Sequence, residues 1–220
     1  MTAMNLERAR HNMVEQQIRP WDVLDQRILD LIARAPREEY VPADCRNLAY
    51  GDIEIPLPHG QAMMAPRIEA RLLQALEIKT TDKILEIGTG TGYLTSLLAA
   101  LGRHVTSVEI FPDLTTMAAG TLAAHGVHNI TLEVGDAGRG WERGGPFDVI
   151  VLTGSMPVLG DAFRNALADG GRLFAVVGQA PAMDAQIVQR HGRHQWKTTS
   201  LFETVLAPLL NVAVPPTFRF

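Results

Sequence analysis

Short apolar runs alternate with helical patterns through the central part of the chain. The runs have the length of buried strands, and the segments between them are helical in pattern, apart from a loop at 135–146. The predicted strands are Lys83–Ile87, His104–Ile110, Ile130–Val134, Phe147–Leu152 and Arg172–Val177. The predicted helices are Gly92–Leu101, Asp113–His125 and Val158–Leu167. This alternation predicts a mostly parallel, doubly wound α/β sheet with helices on both faces.

The two ends of the chain depart from this alternation. Near the C-terminus, Ala185–Gln189 and Trp196–Leu206 flank a turn at 191–192, which predicts an antiparallel hairpin on the sheet edge. Before the sheet, two helical patterns precede Pro36, and a third helix is predicted at Ile68–Leu76 after a loop rich in proline and glycine. The apolar faces of the first two are Leu6, Ala9, Met13 and Gln17, and then Leu24, Ile28, Leu31 and Ile32. We expect these helices to cap the carboxyl ends of the strands, where open α/β sheets bind ligands.

The length of 220 residues suits one α/β domain with a sizeable core. We divide it into a helical N-terminal part (1–79), the sheet (80–209) and a tail (210–220). Apolar residues alternate loosely around Pro215 and Pro216 in the tail, at Val212, Val214, Phe218 and Phe220. Two prolines disfavour a helix there, and we expect the tail to pack on its own domain, with a second subunit as the alternative.

Composition narrows the class of protein. Hydrophobic residues make up 46% and charged residues 20% of the chain, which is an ordinary globular balance. The net charge is −4 and no basic tract is present, so nucleic acid is a weak candidate for a partner. A single cysteine, Cys45, excludes an internal disulfide and a cysteine-based zinc cluster, and the histidine spacing predicts no metal site. The polar N-terminus and the absence of long apolar runs lead us to expect a cytoplasmic protein without a membrane partner.

The segment from Glu86 to Gly92 is a glycine-rich turn between a predicted strand and a predicted helix. Such a turn lets the backbone approach a ligand and directs the helix N-terminus at it. Glycines stand at Gly88, Gly90 and Gly92, so the G-x-G-x-x-G fingerprint of dinucleotide enzymes fails at its last position. An acidic residue leads the turn, and Glu86 could pair with a cationic part of a ligand.

This turn resembles motif I of the class I S-adenosylmethionine (SAM) methyltransferases. The resemblance implies that the turn binds the amino-acid part of SAM, through Glu86, Ile87, Gly88, Thr89, Gly90, Gly92 and Tyr93. Glu109, next to Ile110, ends the second strand about twenty residues later, where a carboxylate can accept hydrogen bonds from ribose hydroxyls. The alternative is a solvated acid at a strand end.

Asp136 and Ala137 follow the third strand. An aspartate there can accept a hydrogen bond from the adenine amino group, although aspartate is also common as a plain cap or turn residue. Asp148, at the start of the fourth strand, is more typical of a structural role, and Gly170 and Gly171 are most simply a turn.

Several segments outside the sheet resemble the protein-L-isoaspartate O-methyltransferase family, over about residues 8–209. They are Met13–Arg19, Ala35–Pro42, Ala49–Asp52, Pro56–Gln61 with Pro66, Gly140–Trp141, Gly170–Leu173 and Ala207–Leu209. The resemblance implies a Rossmann-like SAM methyltransferase fold. It also implies that the chain methylates isoaspartyl carboxylates of damaged proteins and releases S-adenosyl-L-homocysteine. The ester then cyclises to a succinimide, whose hydrolysis returns some normal aspartate.

One loop departs from the family pattern. Where the family carries a hydroxyl-bearing stretch such as Thr-Ile-Ser, this chain has Ala62, Met63 and Met64, and Pro58 replaces the usual glycine. The candidate acceptor-loop residues are His59, Gly60, Gln61 and Met64. Loss of one donor to a carboxylate costs about 1.5–3 kcal/mol, which weakens acceptor binding without abolishing a reaction driven by alignment. Loop N–H groups or His59 could substitute as donors, and His59 could equally be a surface residue.

Two other functions remain open at the level of sequence. Met64 suits an apolar acceptor, so the chain could methylate a different, small apolar molecule. Alternatively, the chain could be a SAM-binding module without catalysis. Met63 and Met64 could also simply pack beneath the loop.

Overall fold

The structure is a computed structural model that describes residues 5–214. The predicted tail residues Pro215, Pro216, Phe218 and Phe220 lie outside the described residues. Two short strands, β1 and β2, form a separate hairpin, and seven strands form the main sheet. The strands are β1 Ile55–Pro56, β2 Ala62–Met63, β3 Lys83–Ile87, β4 His104–Glu109, β5 Ile130–Val134, β6 Phe147–Met156, β7 Leu167–Gln179, β8 Ala182–Arg190 and β9 Trp196–Thr204.

Six α-helices surround the sheet. They are α1 Leu6–Asn12, α2 Gln26–Arg34, α3 Pro66–Leu76, α4 Tyr93–Leu101, α5 Pro112–Ala124 and α6 Asp161–Ala166. A π-helical segment, Met13–Ile18, continues α1, and short 3₁₀ turns lie at Arg19–Trp21, Arg37–Glu39, Ala43–Leu48 and Pro58–Gly60. The loop rich in proline and glycine that was predicted before the third helix therefore contains short 3₁₀ turns and the β1–β2 hairpin.

The main sheet has the strand order β5-β4-β3-β6-β7-β8-β9. Strands β3 to β7 pair in parallel, whereas β8 and β9 are antiparallel to their neighbours. This confirms the predicted doubly wound sheet with an antiparallel C-terminal hairpin at its edge. The chain runs outward from β3 to β5 and then returns to β6, so the strand order reverses between β3 and β6. Ligands bind at such a reversal, beyond the carboxyl ends of the strands.

Most differences from the predicted boundaries have local causes. Helix α3 begins at Pro66 because proline suits the first helical turn. Asp25 caps α2, so Leu24 lies before the helix and is 73% exposed rather than part of its apolar face. Helix α6 begins only at Asp161, and the strand after it begins at Leu167, where it pairs with Phe147.

The two faces of the sheet are covered by different elements. Helices α3, α4 and α5 contribute to a core on one face, where Val105, Val151 and Phe174 point from the strands. Helix α6 and the 135–146 loop cover the other face, with Phe163 and Trp141 buried there. The N-terminal region packs on the first face and brings the β1–β2 hairpin to the carboxyl ends of the strands. Among residues 5–214, no helix is both long enough and apolar enough to cross a membrane.

Phe174 is fully buried in β7 and provides a test of this core. We expect Phe174→Ala to lower the free energy of unfolding by about 3–5 kcal/mol, because it removes a large side chain and leaves a cavity. Urea denaturation followed by circular dichroism measures the change. Val158→Ala is the control, since Val158 is 42% exposed, and it should change stability by less than about 0.5 kcal/mol. Equal effects of the two substitutions would contradict this description of the core.

Candidate functional site

A cavity of about 950 Å³, including its mouth, lies beyond the carboxyl ends of β3, β4 and β6. Its wall combines the turn after β3, the ends of β4 to β6, the β1–β2 hairpin and the segment after β9. The predicted site residues in the wall are Gln61, Met64, Ile87, Gly88, Thr89, Gly90, Tyr93, Glu109, Ile110, Asp136 and Ala137. The wall does not include Glu86, Gly92, His59 or Gly60.

The three glycines of the turn after β3 have positive φ angles. They are 95° at Gly88, 53° at Gly90 and 83° at Gly92, in the region that favours glycine. A Cβ at Gly88 would overlap the Thr153 hydroxyl, which lies 2.8 Å from the carbonyl oxygen of Ile87. A Cβ at Gly92, the residue just before α4, would lie 3.0 Å from Leu122. The turn therefore needs glycine for its conformation and for its packing.

Glu109 connects the glycine turn to the end of β4. One carboxylate oxygen accepts a hydrogen bond from the N–H of Gly90 at 2.9 Å, and the other accepts from the N–H of Phe111 at 3.1 Å. The side chain lies in the cavity wall and its residue is buried. A carboxylate has about four acceptor positions, so Glu109 retains positions for further donors in the cavity.

Asp136 lies in the wall after β5. Oδ1 accepts from the N–H of Gly138 at 3.0 Å, which is an Asx turn, and Oδ2 accepts from Asn211 Nδ2 at 2.8 Å. The aspartate is thus held by its own loop and by the chain after β9. Asp148, by contrast, accepts from the N–H of Lys83 at 2.8 Å, which is a contact between strands.

Glu86 is fully buried behind the turn rather than in the cavity wall. Its Oε2 accepts hydrogen bonds from Thr95 Oγ1 at 2.5 Å and Ser107 Oγ at 2.6 Å, and Oε1 has no partner among the described residues. The Thr89 hydroxyl lies 2.6 Å from that of Ser107. Burial raises the pKa of Glu86 to about 8; the two hydroxyls oppose the rise, and the carboxylates of Glu109 and Glu69 add to it.

In the acceptor loop, Met64 places a thioether where the resemblance predicts a serine hydroxyl, and Ala62 stands where it predicts a threonine. Met63 and Met64 are both buried, and both contribute to the cavity wall. The Thr91 hydroxyl donates to Met63 Sδ at 3.8 Å. The carbonyl oxygen of Met64 accepts from Arg37 Nη2 at 2.6 Å, so a buried guanidinium holds the main chain of the loop.

His59 lies on the outer side of the acceptor loop. Its ring stacks on Phe111 with centroids 4.1 Å apart, and Nε2 lies 2.8 Å from a carboxylate oxygen of Asp113. This hydrogen bond lowers the pKa of Asp113. The His59 side chain remains 39% exposed, and Gln61 Nε2 donates to its carbonyl oxygen at 3.1 Å. His59 therefore connects the acceptor loop to the start of α5, whereas a Cβ at the adjacent Gly60 would have no described atom within 4 Å outside its chain neighbours.

Several residues of the wall were not identified from the sequence. They are Leu57, Thr91, Glu69, Thr153, Gly154 and Leu206–Leu210. One signal existed for Glu69, because it shares a helix face with Leu73 and Leu76, which predicts burial. The 206–210 segment lies beside the end of β6, where Ser155 exchanges hydrogen bonds with Ala207 and Leu209 at 2.8 and 2.9 Å. Among residues 5–214, no group of three metal-ligating side chains is present.

The raised pKa of Glu86 predicts a pH-dependent stability. In an unfolded chain a glutamate has a pKa of about 4.3, so the folded protein binds more protons than the unfolded chain from there up to about pH 8. Glu86 therefore lowers the free energy of unfolding as the pH rises through this window. Glutamine cannot ionise, and we expect Glu86→Gln to gain stability relative to the wild type between about pH 5 and 8.

Urea denaturation at four pH values across this window measures the difference between the two proteins. Glu142→Gln, at an exposed position, is the control for loss of one negative charge. A difference between Glu86→Gln and the wild type that does not change with pH would show that Glu86 ionises normally in the fold.

Comparison with known proteins agrees with the motifs and the fold. The family model "Protein-L-isoaspartate(D-aspartate) O-methyltransferase (PCMT)" matches residues 8–213. A protein-L-isoaspartate O-methyltransferase of Methanoculleus marisnigri is 40% identical, over 88% of each chain. One of Koribacter versatilis is 38% identical, over 96% of this chain and 93% of its own.

A solved structure supports the fold independently. A crystal structure described as a protein-L-isoaspartate O-methyltransferase of Plasmodium falciparum, in complex with S-adenosyl-L-homocysteine, superposes with a TM-score of 0.77. It covers 91% of this chain and 97% of its own at 18% identity, so the likeness concerns the fold alone. The family model matches most of the chain, and the two relatives are 38–40% identical to it. Together these matches establish the family. This chain belongs to the protein-L-isoaspartate O-methyltransferase family.

Proposed function

We propose that this chain is a SAM-dependent methyltransferase that methylates isoaspartyl carboxylates in damaged proteins. The observation that carries the proposal is the family match over residues 8–213, together with a cavity at the position where this fold binds ligands. Relatives at 38–40% identity carry the name of this activity. Repair then proceeds without further help from the protein, because the ester cyclises to a succinimide.

The residues of the cavity fit SAM. When bound, SAM supplies an activated methyl group on a sulfonium, and S-adenosyl-L-homocysteine is left after transfer. Glu109 has acceptor positions for the ribose hydroxyls, beside the N–H groups of Gly90 and Phe111. Asp136 has one for the adenine amino group, and Ile87, Ile110 and Ala137 supply apolar surface next to them. The open backbone at Gly88 and Gly90 accommodates the amino-acid part of the ligand.

Glu86 and Gly92 support this site from behind rather than touching the ligand. The buried carboxyl of Glu86 joins the turn to α4 and β4 through Thr95 and Ser107. Gly92 allows α4 to start against Leu122 of α5. Thr89 and Tyr93 lie in the wall. The acidic residue at the start of the turn thus stabilises the conformation of the turn.

The acceptor binds between the β1–β2 hairpin and the 206–210 segment. An isoaspartyl carboxylate is already ionised at neutral pH, so the reaction needs no general base, and alignment of the two reactants supplies most of the acceleration. Gln61 and the loop main chain at Met64 lie in this part of the wall. His59, followed by Gly60, holds the loop against Phe111 and Asp113 through its own side chain.

We further infer that the substrate is an isoaspartyl-containing protein or peptide in the cytoplasm. The family supports the kind of substrate. The charge balance and the single cysteine support the compartment. Absence of a nucleic-acid partner stays a prediction from net charge.

A second candidate function is favoured by the composition of the acceptor end. Leu57, Met63, Met64, Leu206 and Leu209 all contribute apolar side chains to the wall. Such a surface suits a small apolar acceptor, and methionine adapts its shape readily. A module that binds SAM without catalysis is the third possibility, and the experiments below distinguish the three.

Gly90→Val tests the cofactor site. A valine there brings a branched side chain into the cavity at a φ of 53°, so we expect SAM affinity measured by calorimetry to fall at least about a hundredfold. Gly120→Val is the matched control, because Gly120 is exposed in α5 and a Cβ there meets no atom within 4 Å. Wild-type affinity in Gly90→Val would contradict the assignment of the turn.

Transfer of a labelled methyl group from SAM to an isoaspartyl peptide tests the activity itself, with the matching aspartyl peptide as control. We expect transfer to the isoaspartyl peptide alone. SAM binding without transfer to either peptide would contradict the repair function and favour another acceptor or a non-catalytic module.

Met64→Ser tests the missing hydroxyl, with Met64→Ala as the matched control for loss of side-chain volume. If a donor is what the loop lacks, the serine variant should exceed the alanine variant in kcat/KM for the isoaspartyl peptide by about tenfold. Equal kcat/KM values for the two variants would show that the missing hydroxyl does not limit activity on the isoaspartyl peptide.

A further inference from the structure

The charge lining the cavity is of one sign. The charged residues in the described wall are Glu69, Glu109 and Asp136, all acidic, and Glu86 lies close behind. Negative charge suits a cationic ligand such as a sulfonium. It opposes an anionic acceptor, because like charges in a poorly solvated site disfavour one another's ionised forms. A carboxylate acceptor therefore needs a positive partner at its end of the cavity.

Arg37 is the cation nearest to the acceptor loop. It is fully buried, its Nη2 donates to the carbonyl oxygen of Met64 at 2.6 Å, and its guanidinium lies 4.7 Å from the centre of the Tyr93 ring. Its Nη1 donates to Glu69 Oε2, and its Nε has no partner among the described residues. Glu69 is part of the cavity wall whereas Arg37 is not, and the carboxylate of Glu69 neutralises the positive charge of its partner Arg37 next to the acceptor loop.

The carboxylate of Glu69 is readily protonated. It is almost fully buried in the first turn of α3. Burial raises its pKa to about 7, although the charge and the hydrogen bond of Arg37 oppose the rise. An arriving carboxylate would raise this pKa further.

We propose that Glu69 takes up a proton when the acceptor carboxylate binds, so that the positive charge of the neighbouring Arg37 is no longer neutralised and compensates the charge of the substrate. The inference rests on the proposed function and names a positioning pair, Arg37 and Glu69, at its acceptor end. The proton comes from solvent and stays on Glu69 while the substrate oxygen takes the methyl group. The methyl ester is neutral, so the proton returns to solvent once the product has formed.

Two other titratable groups lie near Glu69, and neither obscures the contribution of Glu69 to the pH dependence of peptide binding. Tyr93 of α4 faces the pair, and burial raises its pKa above the ordinary range, so it remains neutral. Burial raises the pKa of Glu86 of β3 to about 8, and its carboxylate and that of Glu69 repel each other. A substitution at Glu69 alone separates its contribution from that of Glu86.

The wild-type enzyme gives the first test. We expect KM for the isoaspartyl peptide to rise roughly tenfold between about pH 6.5 and 8.5, because binding must be accompanied by proton uptake once Glu69 is ionised. The kcat should change much less. Calorimetry of peptide binding to the S-adenosyl-L-homocysteine complex, in two buffers of different ionisation enthalpy, should show uptake of most of a proton at about pH 7.5.

Glu69→Gln gives the second test. The variant keeps the size of the side chain but cannot ionise, so KM for the peptide should vary by less than about twofold over the same range and lie below the wild-type value at the highest pH. SAM affinity reports that the variant is folded, and exposed Glu142→Gln is the control for loss of one charge. A merely structural role would change stability without flattening the pH profile.

The outcomes separate this inference from the proposed function. A flat wild-type KM, binding without proton uptake, or the same slope in Glu69→Gln and the wild type would overturn the proton uptake while leaving isoaspartyl transfer intact. No transfer by the wild type at any pH, with SAM bound, would overturn the proposed function and this inference together.

Discussion

The buried carboxyl group of Glu86 fixes the part of the fold on which the cavity depends. It lies at the end of β3, and the hydroxyls of Thr95 and Ser107 bind it from α4 and β4. A polar group without solvent is costly unless it is hydrogen-bonded, so these three elements keep their relative positions. The glycine turn that follows has positive φ angles and begins next to this hydrogen-bonded carboxyl group. Glu109 then connects the turn to the end of β4 by accepting a hydrogen bond from the N–H of Gly90. The cofactor end of the cavity is thus specified by a few hydrogen bonds around a single strand end.

A different interaction holds the acceptor end. Buried Arg37 bonds the main chain of Met64 and the side chain of Glu69, which joins the short turn after α2 to the loop and to α3. Removing one member of a buried ion pair costs about 3–5 kcal/mol, because the other charge is left uncompensated. Arg37 therefore holds the loop through its main chain, by a contact that does not depend on the identity of the side chain at position 64.

Much of the fold was predictable because its signals are local. The apolar runs of β3 and β5 matched their observed bounds, and the glycine turn is recognisable from its own residues. Glu69 was not identified as a site residue because only Arg37, thirty-two residues away, makes its burial favourable. The 206–210 segment enters the wall through contacts with Ser155, which no sequence period encodes. His59 was predicted as either a donor or a surface residue, and its stacking on Phe111 comes from a contact between distant segments.

The charge of the cavity bears on the choice between the two acceptors more directly than the missing hydroxyls do. A neutral apolar acceptor would meet Leu57, Met63 and Met64 without any need to change the charge at Glu69. A carboxylate acceptor is favourable only if the acidic wall is compensated, and the buried Arg37 beside Glu69 can do this once Glu69 is protonated. Coupling between acceptor binding and proton uptake is therefore a property of the isoaspartyl reaction alone, since the apolar reaction has no charge to balance. Because of the Arg37–Glu69 pair, proton uptake on acceptor binding distinguishes the two classes of substrate, and it can be measured on the unmodified protein.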